Sequence, residues 1–460
     1  MRTFISLLLV TILTAALFSG CSADRREGGA AEDAQGTAPS GGPLVVYVPA
    51  YFNGSYSMYT AVSRRFTSIY GIDVELYPAP SAYDLRDENA MLNYKTEFAA
   101  EVMAGRGPDL FIASDHWGVF DDLMKKVSAG VFCDFNEFME KDGDFDSGAY
   151  NETVMNAGLF KNSRYVMPLS YTVPMLITTE ERMAEHGVAA DDFSTYERFL
   201  SSWESLHASG KSLLCDGSGW TVAMRSGWLD ECLDFERGVA DLNLPSFQRI
   251  YALILEEDRL YEKDYLSDSG AGDAENEQYV DAFLKNGLFY FTDFGINGYE
   301  TSFISPDTTD ELNVILPIPN AYGAVTAVVE DYALISGASS NKEAAWNFVK
   351  ILLNEEMQEN WYDTTRSLGA PVRNDTTAAH IDAVNKIHHI NFQPLEPALK
   401  EKARDHLLYL YASCDNAVIP ESRGWLLFYK LIDLTYHSQD NSFETVKAKA
   451  ENYFKIYLSE

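Results

Sequence analysis

Basic residues are scarce in this 460-residue chain, where 35 Lys and Arg stand against 69 Asp and Glu for a formal charge of −34. So acidic a surface argues against nucleic acid or anionic lipid headgroups as partners, because both require basic patches. Cysteine is scarce too. Apart from Cys21 there are Cys133, Cys215, Cys232 and Cys414, none in a Cys-x-x-Cys pair, so a zinc cluster is not expected. In an oxidising compartment Cys215 and Cys232 are compatible with a bridge or with two thiols. Motifs that concentrate chemistry are missing: there is no Gly-x-Ser-x-Gly elbow and no His-Glu-x-x-His. Ser209-Gly210-Lys211-Ser212 ends like a phosphate loop, but the glycine required five positions before Gly210 is Ser205. Asp142, Asp144 and Asp146 have calcium-loop spacing, yet Ser147 and Thr153 replace the loop's glycine and final glutamate. His388-His389 has no further ligand at a metal-binding spacing. No cofactor, metal or catalytic residue is therefore expected.

Long apolar runs are also lacking. The one near the start, Phe4 to Phe18, is shorter than the ~20 residues that span a bilayer. With Met1-Arg2 before it and Ser19-Gly20 after it, residues 1–20 read as a secretory signal peptide. Leu17-Phe18-Ser19-Gly20-Cys21 resembles the bacterial lipobox, in which the cysteine is lipidated and becomes the new N-terminus; a plain signal peptide or a short anchor are the competing readings. Residues 21–43 then form a lipidated cysteine and a flexible Gly-, Ala- and Ser-rich tether.

Apolar periodicity begins at Leu44. Leu44 to Val48 reads as a strand, and Val62, Phe66 and Ile69 mark one face of a following helix. Ile72 to Leu76 alternates as a second strand, and Met91, Tyr94, Phe98 and Val102 stack on a second helix that Gly105 caps. Leu110 to Ala113 is the third strand. This alternation is the grammar of an α/β fold with a doubly wound sheet, in which ligands bind beyond the carboxyl ends of the strands. Tyr51, Asn53 and Tyr56 follow the first strand, and Ser114, Asp115 and Trp117 follow the third. Either loop alone is ordinary turn chemistry; two such loops at one sheet edge point to a binding site. Gly219-Trp220, Gly227-Trp228 and Gly424-Trp425 place indoles beside loop glycines, where a ligand platform competes with a core role.

The run 98–113, "FAAEVMAGRGPDLFIA", resembles a segment of the extracellular carbohydrate-binding proteins of bacterial ABC transporters, the maltose-binding-protein-like family. So, in order, do "YVMPLSYTVPMLITTEERMAEHGV", "ILPIPNAYGAVTAVVEDYALIS" and the stretch 340–374. The resemblance implies a periplasmic-binding-protein type II-like fold with two lobes joined by crossing strands. One lobe would hold 44–168 plus 331–370 and the other 169–330 plus 371–460. It also implies a carbohydrate ligand in the cleft of a monomer and delivery to the transmembrane subunits of an ABC permease; the lipobox-like cysteine and long tether suit anchoring by lipid on the extracellular face of a Gram-positive membrane. Carried onto this chain, Tyr171 becomes a stacking ring at the first crossing, Asp331 with Glu330 an acceptor of sugar hydroxyls at the second, and Asp293 and Phe294 cleft residues after the strand Phe289-Tyr290-Phe291. A glycoside hydrolase or a ligand-sensing adaptor are the alternatives; with so many acids a carboxylate pair can always be drawn, so acid content does not discriminate.

Overall fold

The computed structural model describes residues 42–49, 53–80, 88–114, 120, 123–215, 219–228, 230–234, 237, 239–268, 287–292, 314–361, 369–384, 397–419, 425–437, 440 and 442–459. Leu44–Val48 (β1) pairs in parallel with Val74–Pro78 (β2) on one side and Leu110–Ser114 (β3) on the other. β3 is buried at every position, as an unbroken apolar run demands of a strand covered on both faces. β2 is the exposed edge, two residues later than the alternation from Ile72 suggests.

Asn53–Tyr70 (α1) buries Tyr59, Val62 and Phe66, but Ile69 is 57% exposed, against expectation. In the last turn the buried face has rotated to Tyr70, whose ring lies 4.9 Å from Phe66; one face of a helix cannot hold both neighbours. Glu88–Met103 (α2) buries Phe98 and Val102 as its spacing predicts, and Gly105 follows it at φ +71°, the left-handed position a helix C-cap favours. Leu123–Ser128 (α3) follows β3.

The chain passes twice between two sheets, at residues 173–174 and 318–325, later than the expected boundary 168/169 and earlier than 330/331. Met167–Thr172 (β4) belongs to the first sheet and Met175–Thr178 (β5) to a second, with only Val173 and Pro174 between them. The second sheet is built from β5, Ser212–Leu214 (β6), Gly287–Thr292 (β7) and Val314–Pro317 (β8), in the order β8-β5-β7-β6. The return runs from β8 to Thr326–Ile335 (β9), a ten-residue strand buried throughout. β9 lies antiparallel to both β3 and β4, and Ala370–Pro371 (β10) pairs beyond β4. Asn416–Val418 (β11) runs parallel to the first residues of β9 and completes this sheet. Both sheets are thus mixed, parallel strands being joined by antiparallel ones where the chain crosses.

Two apolar cores follow the two sheets. The first is rich in rings, Phe66 lying against Phe348 and Phe111 against Phe98, Phe120 and Phe132. The second is filled by helices Tyr196–Ala208 (α4), Gly219–Arg225 (α5) and Pro245–Asp268 (α6), and by Trp425–His437 (α7) and Phe443–Ser459 (α8) from the end of the chain. The span 371–460, expected to lie wholly with the second sheet, is divided. Ile381, Leu407, Leu410, Tyr411, Ala417 and Ile419 bury their apolar surface in the first core, and Phe428, Leu431, Val446 and Phe454 do so in the second.

A fully buried carboxylate anchors the second core. Glu257 of α6 accepts hydrogen bonds from Trp203 Nε1 (2.8 Å), His207 Nε2 (2.6 Å), the Ser212 hydroxyl, and the backbone N–H groups of Leu213 (3.2 Å) and Leu214 (2.7 Å). One side chain therefore ties α6 to α4 and β6. The "SGKS" segment is explained at the same place. Ser209 caps α4, Gly210 turns at φ +75° and Ser212 begins β6, so the chain runs from helix to strand, the reverse of a phosphate loop's strand to helix.

Candidate ligand-binding site

Where β3, β9 and β4 lie side by side, a buried polar row crosses the first sheet at the carboxyl end of β3. Ser114 is the Cα partner of Asp331, and Asp331 is the partner of Ser170. Ser170 Oγ donates to Asp331 Oδ2 at 2.6 Å and accepts from the Asp331 N–H at 3.2 Å. All three are nearly closed off, Ser114 at 2%, Ser170 at 0% and Asp331 at 5% exposure. Such groups are tolerated inside a protein only when they are hydrogen-bonded.

The β4–β9 register slips twice beside this row, between Val329 and Asp331 and again between Asp331 and Tyr332. The first slip makes Glu330 the extra residue of a β-bulge, and bulges re-aim side chains next to functional sites. Neighbouring hydroxyls feel both acids. Burial, and then the Asp331 charge, hold the Tyr59 phenol well above its usual range; burial, then Cys414 and Glu330, do the same to Tyr411. Gly369 closes the row from beyond β4. A Cβ there would lie 2.7 Å from Ser170 Oγ and 3.0 Å from Glu330 Cβ, so only glycine allows the approach.

Other expected site residues meet different fates. Tyr171, expected to stack on ligand, is 2% exposed; its ring packs on Tyr411 at 5.3 Å and its hydroxyl donates to the Tyr411 carbonyl at 3.4 Å. It serves the first core, because β4 is covered on both faces at the crossing. Trp220 is half-buried and held by its neighbours. Its ring meets Tyr251 and Phe428 edge-on and its Nε1 donates to Tyr436 Oη at 2.5 Å, which fastens α5 to α6 and α7. Trp228 is buried, donating to the Pro319 carbonyl at 2.9 Å. Asn53 and Tyr56 lie on the first turn of α1 and Trp425 begins α7, their side chains being outside the description. Tyr51, Asp115, Trp117, Asp293, Phe294 and Cys21 lie outside the described residues. Sequence reasoning missed Ser170 and Tyr59, which become site residues only through partners far along the chain.

Among the described residues no group of three or more His, Cys, Asp or Glu side chains converges to hold a metal. Asp142, first of the calcium-spaced acids, instead accepts from Lys350 Nζ (2.6 Å) and Trp346 Nε1 (2.9 Å), and Lys350 chiefly holds its pKa below the usual carboxylate range. A cavity of about 570 Å³ opens elsewhere, between β8 and the helix Pro397–Ala412, with an apolar lining that includes Met183, Ile315, Leu316 and Leu410.

The model of the bacterial extracellular solute-binding protein family matches residues 54–359, which contain both crossings and the whole polar row. The chain belongs to that family. The resemblance read from the motifs is thereby borne out. Solved solute-binding proteins share the two-lobed α/β fold. The sugar-binding protein MalE of Xanthomonas citri is 12% identical (TM-score 0.59, 91% and 97% covered). A Thermotoga lettingae ABC-transporter solute-binding protein bound to α-D-tagatose is 15% identical (TM-score 0.53, 91% and 100% covered). The cyclic α-maltosyl-1,6-maltose binding protein of Arthrobacter globiformis is 16% identical (TM-score 0.54, 91% and 99% covered). At such identities the likeness speaks for the fold alone. No curated protein sequence shows a detectable match to this solute-binding protein.

Proposed function

We propose that this solute-binding protein captures a carbohydrate, most simply an oligosaccharide, between two closing lobes and delivers it to an ABC permease. Lipid on Cys21 and the tether to residue 43 would hold a monomer on the outer face of a Gram-positive membrane. The first lobe would comprise 44–172 with 326–419 and the second 175–317 with the end of the chain, which moves the boundaries implied by the resemblance to the ends of the two sheets. The observation that carries the reading is the family match across both crossings, joined to a polar row at the sheet edge where such folds receive ligands. Sugar cargo is supported by the neighbours' ligands and by a chain with 27 Tyr and 7 Trp, whose flat rings suit the apolar faces of sugars. Within this reading Asp331 and Ser114 serve from the first lobe, with Tyr51, Asn53, Tyr56, Asp115 and Trp117 in its loops and Asp293, Phe294 and Trp425 facing them. Ligand contacting both lobes favours the closed form by its differential affinity.

A thermal-shift screen of the protein lacking residues 1–21, against mono- and oligosaccharides with amino acids and peptides as controls, tests the proposal. Binding to the native state alone raises the unfolding midpoint, by about 2.7 kcal/mol of stability at a hundredfold excess over Kd. A shift with one sugar class and no turnover on prolonged incubation is expected. Cleavage of that sugar, or a shift with peptides alone, would overturn it.

A further inference from the structure

Tyr47 of β1 and Tyr77 of β2 are Cα partners one residue before the carboxyl ends of their strands. Their rings lie 6.0 Å apart at 25°, and Tyr77 is also stacked on Phe98 at 6.0 Å and 26°. Tyr94 of α2 continues the array, 5.6 Å from Phe98 at 15°. With Tyr47 and Phe98 also 5.1 Å apart at 35°, the rings form a compact cluster whose solvent-facing member is Tyr77, 42% exposed. An exposed tyrosine is ordinarily a rotamer-free side chain. This one is held in orientation from behind, which is how a platform avoids losing side-chain entropy on binding.

The array also carries hydroxyls. The Tyr94 oxygen is shut off from solvent and lacks a well-aligned hydrogen-bond partner. Burial chiefly, with the Tyr77 phenol beside it and only partly offset by the Tyr47 phenol, pushes its pKa up, so it stays neutral at any physiological pH. A flat apolar face held rigid from behind at a sheet edge suits a pyranose ring, whose C–H groups cover the face. β2 is the outermost strand, and the Ser114–Asp331–Ser170 row lies two strands and more further in.

We propose that Tyr77, backed by Tyr47, Tyr94 and Phe98, is an outer subsite that stacks on a sugar unit of an oligosaccharide whose first units occupy the cleft. The inference rests on the carbohydrate reading above and deepens it: it requires a ligand longer than a monosaccharide. Calorimetric titration of the whole mature protein with a mono- to tetrasaccharide series of the sugar class found in the screen decides it. In the wild type, affinity should rise with chain length. Tyr77→Ala should weaken tri- and tetrasaccharide binding by about tenfold while leaving the shortest ligand unchanged, and Tyr77→Phe should restore most of the loss. Tyr94→Phe, which keeps the ring stack and removes a hydroxyl closed off from solvent, should leave binding at every chain length as in the wild type. Equal losses for all chain lengths in Tyr77→Ala, or none, would overturn the subsite with carbohydrate binding intact. A wild type that binds no sugar would instead remove the carbohydrate reading and the subsite together.

Discussion

Removing the Glu257 carboxylate tests whether the second core is pinned as its hydrogen bonds indicate. The group is 0% exposed, and five donors converge on its two oxygens. Trp203 Nε1 also lies 2.9 Å from His207 Nε2, but an indole only donates. The carboxylate 2.6 Å from that imidazole nitrogen only accepts, so the nitrogen carries the proton between them and the indole turns to the carboxylate as well. Glu257→Ala would strand all five donors in an apolar core. Each unsatisfied buried donor costs about 1–3 kcal/mol, but they share one site and do not add. The loss of one partner from a buried charged network, about 3–5 kcal/mol, is the better guide.

At about 2–4 °C per kcal/mol for units of this size, the midpoint should fall by roughly 6–20 °C. Glu257→Gln keeps the shape but turns an NH₂ group toward donors, so it should lie between the variant and the wild type. Ligand-free thermal and urea unfolding measure both. Because β6 is parallel-paired to β7, whose end leads to Asp293 and Phe294, the same variant should also weaken ligand binding. A Glu257→Ala protein that loses less than about 1 kcal/mol would refute the pinning argument.

Two further outcomes follow from the same chain. Burial depresses the His380 imidazole from 6.5 to about 4, so between these values the unfolded chain binds a proton that the folded chain refuses; the stability is complete above pH 6.5 and declines on acidification toward pH 4, by about 1.4 kcal/mol per pH unit. His380→Gln should flatten that part of the wild-type urea stability–pH curve, and an unchanged slope would show that the proton is taken up elsewhere. Lys125 Nζ of α3 sits 3.9 Å from the centroid of the Tyr457 ring on α8, joining a helix of the first core to one of the second; Lys125→Ala should weaken ligand binding about two- to fivefold, the worth of a partly exposed cation–π contact, without changing the ligand-free midpoint by more than a degree or two, and unaltered or tighter binding would refute a role in closure.

Elements with a local signal were legible in the sequence. β1, β3, α2 and the strand through Phe289 each follow from apolar pattern plus a cap or break within a few residues. Both crossings were legible too, by resemblance. What failed did so where a neighbour distant in sequence decides. Tyr171 sits in a context that suits a ligand platform, yet Tyr411, more than two hundred residues away, closes over it. Ser170 was invisible for the same reason, since nothing in "MPLSYT" announces that its hydroxyl will meet Asp331 on another strand. The division of 371–460 turned on which core each helix's apolar face met, and amphipathicity gives the existence of such a face without its partner.

The two crossings differ in a way that bears on how the lobes would move. Between β4 and β5 only Val173 and Pro174 intervene, and proline fixes one of the few torsions available there. The return from β8 to β9 is longer, residues 318–325, but its slack is taken up by Asn320. Asn320 is 4% exposed; its Nδ2 donates to the Ser226 carbonyl and to Thr326 Oγ1, both at 2.7 Å, while its Oδ1 accepts from the N–H groups of Tyr322 and Gly323. One amide thus joins a loop of the second core to the first residue of β9. Rotation is confined to a few bonds at each crossing, which suits hinge closure better than sliding. The Ser114–Asp331–Ser170 row lies on the sheet side of both hinges, inside strands that do not bend, so the first lobe would offer it preformed and ligand capture would depend on what the second lobe brings to meet it.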